Sequence, residues 1–568
     1  MSDLKNVSEH FKPPIYYNPK RMELKQHIID DLELVKTIDA SGNPIYSHCF
    51  NTDNELSTTV TPQLCQYYTT DTDFLKDNQA LLKTYKCVNK VNYSEMLDLW
   101  KEIKADTGFK EKYYYLDWPM LEHLNKSETF LEVMSIYNMA SPLISLFIPI
   151  ILMIIPFFII RLKGLSVTMS EYTNVLKVII SNHAIGKLFT RFSDVSLNEK
   201  VYMLLSAAFY VFSIYQNILV CYRFNNNMHK IHKLLKDTTV YLDNTTTAMN
   251  NYLAYSSKLI THDRFNEVLR EKMSILSQFK QSIGSLSEYK LTNCKKVLEI
   301  GKVLKYFYQL YEDPVYNAAF LYSFGFNGYI DCFTGLQTNI EERKVYFADF
   351  TDDFKKAQIV NNYYACLKDS APVKNTLKFK KNMIVTGPNA SGKTTILKSS
   401  LINIILTQQF GCGFYDSAVI KPYKYIHCYL NIPDTSGRDS LFQAEARRCK
   451  EILDIVDANK DDGHFCAFDE LYSGTNPEEA VSSASAFMQY LVKNKNLSCL
   501  LTTHFVKVCK KLNKNASISN YQMVAKKTGN TIKYTYKLDK GISTVKGGIS
   551  VLCDMNYPAE IIRDTNSQ

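Results

Sequence analysis

Two uncharged stretches divide the first half of the chain. Residues 133–160 carry no charged side chain, and 143–160 are almost wholly Ile, Leu, Phe, Met and Pro, long enough to span a bilayer. A second stretch, 201–222, lies between Lys200 and Arg223 and is less hydrophobic because it contains Gln216 and Asn217. The pair predicts a two-helix membrane hairpin, with two buried helices of a large soluble core as the alternative. The connector between them holds six Lys/Arg, at 161, 163, 177, 187, 191 and 200, which a simple hairpin would export against the usual charge bias. Pro142, Pro149 and Pro156 recur every seven residues and would kink the first stretch, while 175–192 is amphipathic enough to lie on a surface. A re-entrant hairpin is therefore a second topology, distinguishable by whether a tag near Asn182 is reached from the cytosolic side.

Elsewhere the periodicity changes twice. Ile231, Leu235, Thr238, Leu242, Thr246, Met249, Leu253, Ser256 and Ile260 follow a 4-3 spacing in a run without proline, which predicts a long helix with an apolar-to-small seam. The threonines and serine in that seam favour a bundle over an isolated coiled coil. From residue 341 onward, short apolar runs alternate with helical patterns, as in an α/β domain with a largely parallel sheet. These changes divide the chain into 1–130, soluble and mostly helical; 131–222, the membrane hairpin; 223–340, a helical arm; and 341–568, the α/β domain. Within the first part, residues 30–86 alternate helical apolar spacing with a polar middle near 51–61.

Composition adds limits more than direction. At 568 residues and 46% hydrophobic content the chain holds more than one domain with a real core, and disorder is excluded. A net charge of +9 suits an anionic partner or a solvated surface equally. The 14 cysteines form no C-x-x-C pair and no signal sequence precedes them, so reduced thiols in a cytosolic setting are expected. Cys466, inside an apolar run, reads as core.

The chemistry is concentrated in the last third. Gly387, Gly392, Lys393 and Thr394 fill G-x-x-x-x-G-K-[ST], preceded by the apolar run 383–386 and followed by the helix-like 396–406. Glycines at such a strand-to-helix turn let backbone N–H groups close on phosphates. Lys393 reaches the outer phosphates and the Thr394 hydroxyl can hold Mg2+. Residues 387–395 thus form the candidate nucleotide loop: Gly387, Pro388, Asn389, Ala390, Ser391, Gly392, Lys393, Thr394 and Thr395. The run 464–470 is a strand ending in two acids, Asp469 to complete the metal shell and Glu470 to orient or deprotonate the attacking water. The next strand, 497–503, ends at His504, placed to sense the outer phosphate.

Four motifs in this order resemble the ATPase domain of the MutS mismatch-repair family: Gly387-Pro-Asn-Ala-Ser-Gly-Lys-Thr-Thr395, Ser436-Gly-Arg-Asp-Ser-Leu-Phe-Gln-Ala-Glu445, Asp469-Glu-Leu-Tyr-Ser-Gly-Thr475 and Thr502-Thr-His-Phe505. The Pro-Asn pair in the loop and the S-x-F-x-x-E run at Ser440, Phe442 and Glu445 are the specific features. Val373 with Asn375, and Tyr536-Lys-Leu538, Gly541, Gly547-Gly-Ile549 and Tyr557-Pro558, resemble the segments that open and close the same domain. The resemblance covers about 371–562. Leu471-Tyr472 and Ala390-Ser391 depart from the family's usual residues, and the N-terminal mismatch-reading domain has no counterpart. Phe130-Leu-Glu132 fits F-x-E only by chance, since it abuts the apolar stretch.

The resemblance implies an ABC/MutS-like P-loop fold, ATP and Mg2+ as cofactors, and nucleotide or metal roles for Asn389, Lys393, Thr394, Asp469, Glu470 and His504. In the family the signature serine acts in trans, so Ser440 implies a homodimer through the ATPase domain, and DNA as a partner is implied by resemblance alone. The expected function is a membrane-tethered ATP hydrolase, its ATPase domain facing the cytosol, that dimerises on ATP and drives a helical clamp on DNA in mismatch repair or recombination. A membrane-remodelling or tethering ATPase without a DNA substrate is the alternative, and an ATP-driven transporter the weakest reading.

Overall fold

The computed structural model describes residues 6–39, 41–88, 91–105, 108–164, 166, 168–182, 186–188, 192, 196–286, 299–430, 432, 440–528, 531–545, 555, 557, 558 and 561. Its residues group into two compact units, one of 91–246 and 273–320, the other of 2–90, 247–272 and 321–568.

The first unit is helical. Helix Glu128–Leu162, 35 residues long, starts at Ser127, whose Oγ accepts from the Phe130 N–H at 3.4 Å. Helix Ile300–Glu312 packs against that start, and Gly301 permits it: a Cβ there would lie 2.2 Å from the Glu128 carbonyl oxygen. Helix Met169–Asn182 folds back alongside Glu128–Leu162, with the Tyr172 hydroxyl donating to the Met153 carbonyl at 2.9 Å. The connector therefore begins its helix earlier than its amphipathic pattern suggested. It turns back along the apolar helix, and no residue of Met169–Asn182 is buried. Arg191 and part of 183–195 lie outside the described residues.

Helix Leu197–Ser256 runs 60 residues without a break, contributing 197–246 to the first unit and 247–256 to the second. Its N-terminal part is the only helix among the described residues long and apolar enough to cross a membrane, and 6% of its most apolar window is buried. One such helix among the described residues does not make the two-helix hairpin expected, because the first stretch falls short in length or hydropathy where its side chains are described. In helix Glu128–Leu162 only the shorter run Met153–Leu162 qualifies as apolar among the described side chains. Further along, eight seam positions from Ile231 to Ser256 are buried as the spacing predicts. Ile260 breaks the pattern: the helix ends at Ser256, and Ile260 opens a 3-10 turn with 83% of its surface exposed.

The second unit contains three sheets among the described residues, two of them large. The larger has strands β1 (Asn382–Thr386), β2 (Tyr425–Tyr429), β3 (His464–Asp469), β4 (Leu497–Thr503), β5 (Ile518–Thr528) and β6 (Thr531–Lys540), in the order β6-β5-β1-β4-β3-β2. All neighbours are parallel except the hairpin of β5 and β6. β1, β3 and β4 read as continuous apolar runs because helices cover both faces, and Cys466 sits in that core with no exposed surface. Helices α1 (Lys393–Phe410), α2 (Leu441–Ala458) and α3 (Pro477–Leu491) follow the strands. A second sheet of five short strands, ordered 375–378, 358–362, 417–420, 346–350 and 412–413, is mostly antiparallel and adds to the largely parallel sheet expected.

Residues 6–88 pack onto α1. Gln409 Nε2 donates to the carbonyls of Leu64 and Tyr67 at 3.0 and 2.9 Å, and Gln79 Nε2 donates to those of Ala348 and Gly411, both at 2.7 Å. The polar middle near 51–61 is itself helical over Glu55–Leu64, since the Asn54 side chain accepts from the Ser57 N–H at 2.8 Å and caps it. A two-stranded pairing of Arg21–Glu23 with Tyr67–Thr69 adds β-structure to a region expected to be helical.

Candidate active site at the carboxyl ends of the parallel strands

In an open parallel sheet, ligands bind beyond the carboxyl ends of the strands, where loops leave for opposite faces. Here the register pairs Thr386 of β1 with Thr503 of β4, and Thr502 of β4 with Asp469 of β3. The nucleotide loop, the paired acids and His504 thus leave the sheet side by side.

Between Thr386 and α1 the chain turns through Gly387–Gly392. Ala390 has φ 61° and Gly392 φ 94°, both left-handed; at Gly392 a side chain would be strained. Gly387 has no room for a Cβ, which would lie 2.6 Å from Ser391 Oγ. Lys393, 6% exposed, turns back so that its Nζ donates to the carbonyls of Gly387 and Pro388 at 3.1 and 3.2 Å. The same Nζ stands 3.8 Å from Glu470 Oε1, and His504 Nδ1 stands 3.4 Å from that oxygen. Thr394 Oγ1 donates to Asp469 Oδ2 at 2.8 Å.

Asp469 is held from behind: the buried Thr502 hydroxyl donates to its Oδ1 and leaves Oδ2 for Thr394. Glu470, at φ 49°, aims its carboxylate between Lys393 and His504. The hydrogen bond from His504, with the nearby positive charge of Lys393, holds this carboxyl below the usual glutamate range against the opposing effect of burial. Burial pushes the Lys393 amine down more than the two carboxylates push it up. The ion pair nonetheless stands on its geometry, because Glu470 is held ionised.

Pro388, Asn389, Glu470, His504, Phe505 and Ser543 share a cleft of about 610 Å3. On the other side of the loop, Gly392 and Thr395 border a smaller cavity of about 190 Å3 with Tyr363, Val373, Met523 and Tyr536. Asn375 ties that wall together, donating to the Tyr536 carbonyl at 2.9 Å and accepting from the Leu538 N–H at 2.8 Å. The donor set fits a polyphosphate with a divalent ion. Ser391 Oγ is buried without a protein partner, and Thr394 and Asp469 already converge on one point.

Ser440 is the site residue not brought to this cleft. It caps α2, its Oγ accepting from the Gln443 N–H at 3.3 Å while the Gln443 side chain accepts from the Ser440 N–H at 2.9 Å. The preceding Ser436, Gly437, Arg438 and Asp439, and the later Gly547, Gly548 and Ile549, lie outside the described residues. Two contributors had no role assigned from the sequence. Thr502 lies in the motif Thr502–Phe505, but its contact with Asp469 follows from the strand register. Glu445, 2% exposed, accepts from Ser473 and Gly474 of the loop after the paired acids, and its place in S-x-F-x-x-E was the available signal.

Comparison with known proteins agrees with this geometry. Residues 383–568 match MutS domain V. In this C-terminal part the chain is similar to proteins of the MutS family. It is similar to the DNA mismatch repair protein MutS of Prochlorococcus marinus, 27% identical over 205 residues that make up 35% of this chain and 22% of that protein. The MutS of Persephonella marina is 26% identical over 242 residues, 42% of this chain and 27% of that protein. MutS protein homolog 4 of Mus musculus is 27% identical over 227 residues, 38% and 23%. Each match thus spans about a quarter of the MutS relative's length.

Proposed function

We propose that this MutS-like chain is a membrane-tethered ATP hydrolase that dimerises on ATP and drives helical arms acting on DNA. One observation carries the enzymatic part: Thr394 and Asp469 converge on one point while Glu470 lies between Lys393 and His504. Gly387 to Thr395 would cradle the triphosphate, Thr394 and Asp469 would hold Mg2+, and the cavity bordered by Tyr363, Val373 and Tyr536 would take the base. When bound, ATP supplies the anhydride to be cleaved and Mg2+ neutralises its charge. Lys393 exchanges the loop carbonyls for phosphate oxygens. Glu470, held ionised and therefore a weak base, acts by orienting water more than by removing its proton. His504 fixes the Glu470 carboxylate at the mouth of the cleft.

Ser440 would complete the nucleotide site of a second copy, which makes the homodimer part of the reading. Membrane attachment is supported by exposure: Tyr202, Phe209, Val211, Phe212, Ile218 and Tyr222 are each more than half exposed on one helix. DNA as substrate rests on the relatives, which are named for mismatch repair. The test is the ATPase rate of detergent-purified protein with and without duplex DNA. Stimulation that weakens with salt supports a DNA-coupled ATPase. An unchanged rate favours the second reading, an ATPase acting on the membrane itself. That reading draws on the apolar stretch and the buried seam forming one unbroken helix.

A further inference from the structure

Lys507 lines the nucleotide cleft yet takes no part in the contacts among Lys393, Glu470 and His504. It belongs to helix Val506–Leu512, which leaves β4 just after His504, whereas Lys393 opens α1 beyond the neighbouring strand β1. The cleft thus receives a lysine from each of two adjacent strand-to-helix turns. The backbone around Lys507 is fixed. The Phe505 N–H donates to Thr503 Oγ1 at 3.0 Å and the Val508 N–H to the Phe505 carbonyl at 3.0 Å, while Val508, Cys509 and Leu512 hold the other side of the helix in the core. Lys507 itself is exposed, and among the described residues it has neither an ion pair nor a hydrogen bond.

Charge around the cleft narrows what this lysine meets. Glu470 is the one acidic residue lining the cleft among the described residues, and its carboxylate already faces Lys393 at 3.8 Å and His504 at 3.4 Å. Asp469, beside it, accepts from Thr394 and Thr502. Lys507 therefore brings an unmatched positive charge to the cleft, which favours an anion there. The two cavities flanking the nucleotide loop decide which part of the ligand that is. With the base in the cavity bordered by Tyr363, Val373 and Tyr536, the outer phosphates point to the other side, where Lys507 stands. A loop of this type cradles the two inner phosphates with its backbone, so the third is the one that extends into the cleft. We propose that Lys507 is a second phosphate-binding lysine, which contacts the terminal phosphate and so sets the preference of the site for triphosphate over diphosphate. The inference rests on the nucleotide reading above.

The test titrates the full chain, purified in detergent and supplied with Mg2+, with ADP and with a non-hydrolysable ATP analogue carrying an imido bridge. Wild-type protein is expected to bind the triphosphate analogue more tightly than ADP. Lys507→Gln is expected to weaken the analogue by about 3- to 10-fold, the size of one partly solvated charge contact, and to leave ADP affinity unchanged. Lys507→Arg restores the preference. The side chain is exposed, and an unchanged melting temperature shows that each variant is folded. Equal affinities in wild type and Lys507→Gln overturn the proposal. So does an equal loss for both nucleotides, which makes Lys507 part of a general positive field. A loss seen only at protein concentrations that support dimers assigns the lysine to the contact between copies and overturns the proposal as well. If wild-type protein binds neither nucleotide, the nucleotide reading falls and takes this proposal with it. A wild type that binds both, with the same affinities as the variant, removes the role of Lys507 alone.

Discussion

Glu445 holds Ser473 twice, accepting at 3.1 Å from its backbone N–H and at 3.0 Å from its hydroxyl through the same oxygen, while its other oxygen accepts from the Gly474 N–H at 3.1 Å. A buried carboxylate on α2 therefore fixes the loop that follows Asp469 and Glu470. Glu445→Gln puts a donor where an acceptor is needed, leaving one of these N–H groups unpaired. It is expected to destabilise the protein by about 1–3 kcal/mol and to lower the ATPase rate, with thermal melting and steady-state turnover as the readouts. A melting temperature and rate both equal to wild type would show that the loop does not depend on this anchor.

Glu470→Gln preserves the shape of the cleft and removes the charge facing Lys393 and His504. Turnover is expected to fall by about 100- to 10,000-fold while ATP binding, measured by direct titration with Mg2+, persists. Undiminished hydrolysis would strip Glu470 of its role in directing water.

Thr502→Val keeps the volume at β4 but deletes the donor behind Asp469. The Mg2+ concentration that half-activates hydrolysis is expected to rise about 10- to 100-fold, with little change in melting temperature. An unchanged Mg2+ titration would mean that Asp469 is placed without Thr502.

Ser440 has two roles that substitution separates. Ser440→Ala removes the cap of α2 and is expected to cost about 0.5–2 kcal/mol of stability. Ser440→Asn keeps an acceptor for the Gln443 N–H but loses the hydroxyl. If the serine completes a partner copy's nucleotide site, the Asn variant melts like wild type yet hydrolyses ATP more slowly. Full activity in that variant confines Ser440 to capping.

Acid sensitivity follows from two buried histidines. Burial lowers His262 to about 4 and His427 to about 3, from an ordinary value of 6.5. Between pH 6.5 and about 4 the unfolded chain binds protons that the folded chain refuses, so stability falls as pH drops through that window. Each group contributes at most about 1.4 kcal/mol per pH unit. Asp31, raised by burial to about 6, has the opposite sign over roughly the same window and offsets one of them. His427→Gln is expected to flatten the acid limb of melting temperature against pH, and an identical limb would locate the sensitivity elsewhere.

The nucleotide loop, β1, β3, β4 and the buried seam from Ile231 to Ser256 could be read from residue order, because each is a local pattern: glycine spacing, an apolar run, a helical period. What could not be read is pairwise. Gln79, Gln408 and Gln409 look like surface residues in a list, yet they are buried and bond backbone carbonyls. In this way they fasten residues 64–79 to the end of α1. No periodicity encodes those partners, which is why the N-terminal region read as a separate helical piece. Thr502 and Glu445 escaped for the same reason, their roles being set by a neighbour about 30 residues away.

Lys393 comes to the cleft with its water already removed and its proton donors engaged by two neutral oxygens of its own loop. An arriving anion therefore does not have to strip hydration from the amine. It has only to outcompete a pair of peptide dipoles, and its advantage grows with every negative charge it carries near that point. On the proposed reading the loop would weigh ligands by their valence, ranking triphosphate above diphosphate and diphosphate above monophosphate.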